Sequence, residues 1–478
     1  MANSILTYHQ FPSIMTHHRL SRFVGPALSL LTCWFGISMT TGTFAAEPKM
    51  AGLKVGVAAA EFAADDSMVI AGGIGPGKAV GQEGQLRAVA VVLEHPTSGR
   101  FAVVACDCLF VTRAMVDAAL VEIEKRCGIP PTHVLVNATH THSAPSTTRI
   151  HGYHADEKFV RNVKQGIVQA VVEASSRMQA DCKFGFHLAE EKTVGENSRL
   201  RLADNTIYWV GPRDDAVGPT GPFDPQLPVL AFRGPDDRLL GVIYNHSTHT
   251  IGSLKPQVRS PSFYGLAAQQ LEVELGATVC FLEGASGSTH NLGAVTTAEA
   301  VERMQGTIRD ALQKLETRPV DRIVSLKRPF TFRVRTFDEA VEDEKVVSYC
   351  RKRMPAYADT TIDIFRQMRK ELKPFQGEDR QTWIQVLVVG DVALCGVPAE
   401  FFTQLGMDIK SRSPFAHTYV AELANDWIGY LPDEEAHRLG GYQTWTGHHS
   451  YAEPGTGERV VDAIVELLRE ASNETGNP

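Results

Sequence analysis

The sequence has no Cys-x-x-Cys pair, no basic run, no internal repeat and no low-complexity linker, and each absence removes a class of protein. With 47 Lys and Arg against 55 Asp and Glu, a net charge of −8 and no local concentration of cations, the chain offers no positive stripe to a phosphate backbone. Nucleic acid is therefore not an expected partner. Eight cysteines in 478 residues do not describe a small scaffold built on disulfides. Cys33 lies in the leader, and the other seven (Cys106, Cys108, Cys127, Cys182, Cys280, Cys350 and Cys395) fall mostly within apolar runs. There a thiol behaves as a small apolar group. Apolar residues at 43% and charged residues at 21% exclude a disordered, collagen-like or multi-spanning membrane chain.

The first 46 residues contain no Asp or Glu, and their only fixed charges are Arg19 and Arg22. An apolar run over residues 23–39 follows, then small residues at Thr43, Ala45 and Ala46. A basic flank, an apolar middle and a small-residue cleavage site describe a secretory signal peptide over 1–46, with Met15 as an alternative start. The run is short for a membrane span. The expectation is a secreted or periplasmic protein, with a retained anchor the less favoured reading and no transmembrane span once the leader is removed. A single catalytic domain is expected over 47–478.

Along that domain, β-branched runs alternate with longer segments of helical period, the pattern of an α/β fold: a layered, mixed β-sheet core with flanking helices. Strands are expected at 101–105, 134–137, 240–244, 278–282, 384–390, 392–397 and 417–422. Helices are expected at 113–126, 263–275, 298–315 and 460–470. Residues 211–228, rich in Gly, Pro and Asp, read as a long surface loop, and the charged helical stretch near 340–375 as a cap or lateral insert.

Chemistry gathers just past the strands. Residues 134–137 run into Thr139-His140-Thr141-His142-Ser143-Ala144-Pro145. In an extended backbone the two imidazoles share a side about 6.6 Å apart, an arrangement that suits a metal as well as a hydrogen-bonded loop pair. Residues 240–244 lead into Asn245-His246-Ser247-Thr248-His249. The run at 392–397 ends in Pro398-Ala399-Glu400 before Phe401 and Phe402, and an acid there is costly to bury unless paired or bound to a metal. A fourth run ends in Asn425-Asp426-Trp427-Ile428-Gly429-Tyr430. Ligands in layered α/β proteins collect at the carboxyl ends of strands, so these four ends can build one metal site, as in a zinc hydrolase.

Thr139-His140-Thr141-His142-Ser143-Ala144-Pro145, Val397-Pro398-Ala399-Glu400 and Gly429-Tyr430 together resemble the catalytic domain of the neutral/alkaline non-lysosomal ceramidase family, over about residues 52–473. The resemblance implies an amide hydrolase acting on N-acyl, ceramide-like compounds, with one zinc held by His140, His249, Glu400 and Tyr430. It implies an acid/base or substrate-binding role for His142, and a small-molecule or lipid-like substrate; no protein partner is evident. No counterpart of the family's C-terminal sandwich-like domain is expected after the helix at 460–470.

The resemblance breaks after the run 278–282. Where the family has a Gly-Asp-x-Ser-Pro-Asn turn carrying the proposed nucleophile, this chain reads Gly284-Ala285-Ser286-Gly287-Ser288-Thr289-His290-Asn291. His290 falls at the nucleophile position and Ser288 at the Asp. Three routes stay open: His290 acts as base toward a metal-activated water, Ser286 or Ser288 substitutes as nucleophile, or the ceramide-cleaving step is lost. The first needs no covalent intermediate and is preferred. Arg199, in Asn197-Ser198-Arg199, is a further candidate for substrate contact. Asp107 either orients a ligand imidazole or caps a helix. His246, His151 and His154 read as solvent-facing loop residues, and His448 and His449 as entrance or exposed groups. Alternatives to the amide hydrolase are a hydrolase of the same fold acting on a glycan or ester, and a non-catalytic metal- or ligand-binding descendant.

Overall fold

Alternation with a period of two sends each strand's side chains into two different cores. In the strand Arg87–His95, Ala88, Ala90 and Val92 pack among helices on one face, while Val89, Val91 and Leu93 pack against other sheets on the other. The same division recurs throughout the computed structural model, which describes residues 52–292 and 295–475. The leader over 1–46, with Met15 and Cys33, lies outside the described residues.

Three larger sheets share the inner core. The first runs Lys54–Glu61, Arg87–His95, Gly99–Cys106, Val134–Ala138. The second has the order Thr278–Glu283, Leu239–His246, Gln226–Arg233, Lys183–Glu190, Glu316–Arg318. The third runs Ile323–Arg333, Asp379–Val389, Val392–Gly396, His417–Ala421. Val91, Phe101 and Leu135 from the first meet Phe186, Phe232 and Leu282 from the second and Leu387, Leu394 and Tyr419 from the third. The outer face of each sheet carries helices: Arg113–Cys127 and Glu157–Ser176 on the first, Ser262–Leu275 and Thr297–Gln313 on the second, and Thr456–Thr475 among others on the third.

Each sheet contains one parallel pair joined through a helix. Gly99–Cys106 pairs in parallel with Val134–Ala138 across the helix Arg113–Cys127. Leu239–His246 pairs with Thr278–Glu283 across Ser262–Leu275, and Val392–Gly396 with His417–Ala421 across Thr403–Arg412. A parallel pair requires such a crossover, and it leaves both carboxyl ends at the same edge of the sheet. Local chemistry fixes the helix limits. Thr112 accepts a hydrogen bond from the Met115 amide, and Gly128, at φ 67°, closes the same helix.

Several elements depart from the sequence reading. The strands Lys54–Glu61, Arg87–His95, Lys183–Glu190, Gln226–Arg233 and Ile323–Arg333 and the helix Glu157–Ser176 are additional. The stretch 211–228 is not wholly loop, because Ala216–Pro219 pairs with Leu200–Leu202 and Gln226 starts a strand. Residues near 340–375 form two helices, Glu339–Arg353 and Ala358–Leu372, that belong to the third sheet's outer core through Val346, Phe365 and Met368. The fully buried Arg369 joins them by ion pairs to Glu339 (2.8 Å) and Asp343 (2.7 Å). All seven described cysteines are free. No described helix is long and apolar enough to cross a membrane.

Candidate metal centre

The carboxyl ends of the parallel strands deliver the candidate residues to one place. Past Val134–Ala138 the chain leaves extended geometry, and His140 takes φ 61°, a left-handed conformation uncommon outside glycine. His140 and His142 therefore do not share a strand face, yet their rings meet edge to face with Nε2 to Nε2 at 3.2 Å. His249 brings its ring centroid within 4.5 Å of that of His140. Glu400 and Tyr430 begin two short parallel strands, Glu400–Phe401 and Tyr430–Leu431, in which they are direct register partners. The Glu400 Oε2 lies 3.7 Å from His140 Nε2 and 3.6 Å from His249 Nε2. The Tyr430 hydroxyl donates to His249 Nε2 at 3.1 Å.

Each imidazole is oriented from behind. His140 Nδ1 donates to the Leu109 carbonyl (3.1 Å), His142 Nδ1 to Gly72 (3.2 Å) and His249 Nδ1 to Ser286 (2.8 Å). A carbonyl can only accept, so in each neutral ring the proton sits on Nδ1 and Nε2 presents a bare lone pair to the centre. Burial, then the neighbouring His249 imidazole, holds His140 and His142 well below the usual histidine range, so protonation does not relieve the crowding. His140, His142 and His249 thus form a group able to hold a metal ion. Glu400 adds a nearly buried carboxylate whose other oxygen accepts from Trp427 Nε1 at 3.1 Å. Four ligands at zinc's usual bond lengths would lie about 3.3 Å from one another, close to the separations found here. Imidazole nitrogens with carboxylate and phenol oxygens make a donor set suited to zinc.

Close backbone approach makes the geometry possible. Gly287 passes so near the strand carrying Glu400 that a Cβ would lie 2.5 Å from the Glu400 carbonyl oxygen. Gly72, at φ +107°, would place a Cβ 2.6 Å from that of His142. Behind the centre lie two more fully buried acids. Glu422 accepts from the Ser286 amide (3.0 Å), the Ser286 hydroxyl (2.7 Å) and the Phe401 amide (2.7 Å). Glu283 accepts from Thr250 Oγ1 (2.6 Å), and its second oxygen has no partner. Burial pushes both carboxyls well above their usual range. Sequence reasoning missed this pair, although Glu283 ends one apolar strand and Glu422 directly follows another, so the rule that singled out Glu400 applied to them too.

His142, His249, His290 and Tyr430 face a cavity of about 300 Å³. The His290 ring stacks on that of His249 at 4.9 Å, and burial, then His249, depresses its pKa to about 3. The remaining candidates do not reach this space. Ser288 is buried with its hydroxyl bonded to Thr403 Oγ1 (3.1 Å) and to the Thr403 amide (3.2 Å). Ser286 is occupied by Glu422. Arg199 is also buried, and it donates to Gln443 Oε1 (2.8 Å) and to the carbonyls of Ala436 and Gly440. It therefore braces the cavity wall at Gln443 without lining the cavity itself. Asp107 neither orients an imidazole nor caps a helix, since it accepts from the Arg87 amide and Thr139 Oγ1. His246 is fully buried between Tyr264 and the Glu191 carbonyl, and His151 is buried against Tyr442, so neither is solvent-facing; His154 is exposed. His449 is buried beneath Tyr442, and His448 pairs with Glu371 at 2.9 Å, both away from the cavity lining.

No family model and no curated sequence matches the chain. Solved structures do. A neutral ceramidase from Pseudomonas aeruginosa superposes with a TM-score of 0.67 at 19% identity, covering 88% of this chain and 75% of that one. A ceramidase complexed with C2 gives 0.68 at 18% identity, covering 88% and 76%. The chain has the neutral ceramidase fold.

Proposed function

We propose that this protein is a zinc-dependent hydrolase that cleaves an amide bond in an N-acyl compound. One observation carries the reading: three imidazole lone pairs and a carboxylate oxygen point at a common centre where the Tyr430 hydroxyl, bonded to His249 Nε2, is the one donor beside them. A cation resolves that repulsion. Among the described residues no Lys or Arg is bonded to Glu400, so no side-chain cation serves this carboxylate. The ceramidase fold and the enzymes that share it support a hydrolase.

In this reading His140, His249, Glu400 and Tyr430 hold the metal. Zinc, when bound, supplies a Lewis acid for the scissile carbonyl and lowers the pKa of water. His142, oriented through its Nδ1 by Gly72, takes the proton of the attacking water at Nε2. The same proton is then returned from His142 Nε2 to the leaving amine, while the His290 imidazole, across the cavity, accepts a hydrogen bond that orients the water. Water is the nucleophile because Ser286 and Ser288 are committed to Glu422 and Thr403. The leader over 1–46 makes the protein secreted or periplasmic, with 47–478 as one catalytic domain. Metal analysis and a panel of N-acyl amides, esters and glycosides test the reading. Zinc bound in a one-to-one ratio with amide turnover lost in His142→Ala is expected. Turnover confined to the esters or glycosides would move the activity to those bonds, and bound zinc with no turnover on any member of the panel would make the chain a binding descendant.

A further inference from the structure

The cavity beside the donor cluster is small for a lipid. Its volume of about 300 Å³ sits at the lower end of the range for ligand sites. One wall is a face-to-face stack of Trp209 on Tyr442, with centroids 4.3 Å apart and planes within 1°. That wall is fixed from behind. The Tyr442 hydroxyl bonds His151 Nε2 at 3.0 Å, the Tyr442 carbonyl accepts from His449 Nε2 at 3.1 Å, and the His449 ring stacks on that of Tyr442 at 4.8 Å. The adjoining Gln443 is held by the buried Arg199. A wall tied at so many points does not open to admit a chain.

The surface outside offers a long chain little beyond the partly exposed Ile74, Ile251 and Leu292 that line the cavity itself. Among the large apolar side chains exposed in the described residues, only Val210 borders this cavity. An alkyl tail reaching past these residues would run through water. A buried methylene strengthens binding about fourfold, whereas a methylene that stays in water adds nothing.

Building on the hydrolase reading, we propose that the substrate is a compact amide, with a short acyl group lodged against the Trp209–Tyr442 wall, and not a long-chain lipid amide. The test uses the full chain loaded with zinc and a series of N-acyl derivatives of one amine, from acetyl to palmitoyl, each below its aggregation threshold. The expected kcat/KM is flat or falling beyond butyryl, changing by less than about twofold per methylene. A rise of about fourfold per methylene through the long acyl groups would overturn the proposal while leaving the hydrolase reading intact. Turnover of no member by the zinc-bound protein would overturn the hydrolase reading and this proposal with it. In Trp209→Ala the preferred acyl group is expected to lengthen, and an unchanged preference in a folded variant would count against the wall as the limit. The slope of the unmodified protein decides the matter even if that variant does not fold.

Discussion

Glu400 and Glu422 are both buried acids of the third sheet's carboxyl edge, and their surroundings are opposite. Glu422 receives two amides and a hydroxyl, so its oxygens meet donors on every side. Glu400 receives one indole N–H on Oε1 and has the Tyr430 hydroxyl beside it, while its Oε2 looks toward the Nε2 atoms of two imidazoles. A buried carboxylate among donors is satisfied by the fold, whereas one that shares its space with imidazole lone pairs leaves a place where a cation would be held. The first acid holds two loops together and the second belongs to the centre those loops build.

Substitutions can sharpen or break that contrast. The largest effect is expected for Glu400→Ala, which should weaken zinc binding by more than about 100-fold, measured by competition with a chelator, since it removes a ligand where lesser supports are worth 10–100-fold. Metal removal should likewise lower the melting temperature of the unmodified protein and not that of Glu400→Ala. Next comes Glu422→Leu, which leaves three buried donors unpaired and should cost about 3 kcal/mol or more in denaturant unfolding. Glu422→Gln keeps acceptors for the two amides and should retain most of the stability and metal affinity. Equal losses in the Gln and Leu variants would mean that charge, not hydrogen bonding, is what Glu422 contributes.

Gly72→Ala is a smaller perturbation aimed at the other side of the centre. Its side chain would meet His142 in a left-handed backbone, so turnover should fall about 10-fold or more while zinc stays bound. Zinc lost with turnover would make His142 a ligand in its own right. The smallest effect is expected for Ser288→Ala, about 1 kcal/mol of stability from the lost Thr403 bonds and turnover within about twofold. A collapse of turnover there would instead make Ser288 the nucleophile.

Much of the arrangement was legible because period and strand ends are local properties. The runs at 134–137, 240–244, 278–282, 392–397 and 417–422 all became strands of the three sheets, and the histidines and Glu400 just past them meet at one centre. Strands such as Lys54–Glu61, an Ala- and Gly-containing run, gave a weaker β-branched signal and gain their place from pairing with Arg87–His95. His246 and His151 were read as surface groups because polar residues in a loop give no sign of what will cover them. Ser288 sits one residue from a strand that lines the cavity, and only its turn toward Thr403 takes it out of reach.

By itself the sequence determined the alternation that sorts side chains between inner and outer cores, and the kinds of ligand atom placed after each parallel strand. These depend on spacing along the chain. The tertiary structure alone decided that the imidazole protons face outward to Leu109, Gly72 and Ser286, that Glu400 stands opposite Tyr430, and that a fixed aromatic wall limits the cavity. Each of those is a contact between residues distant in sequence, set by which backbone carbonyl or ring the packing of three sheets brings within reach.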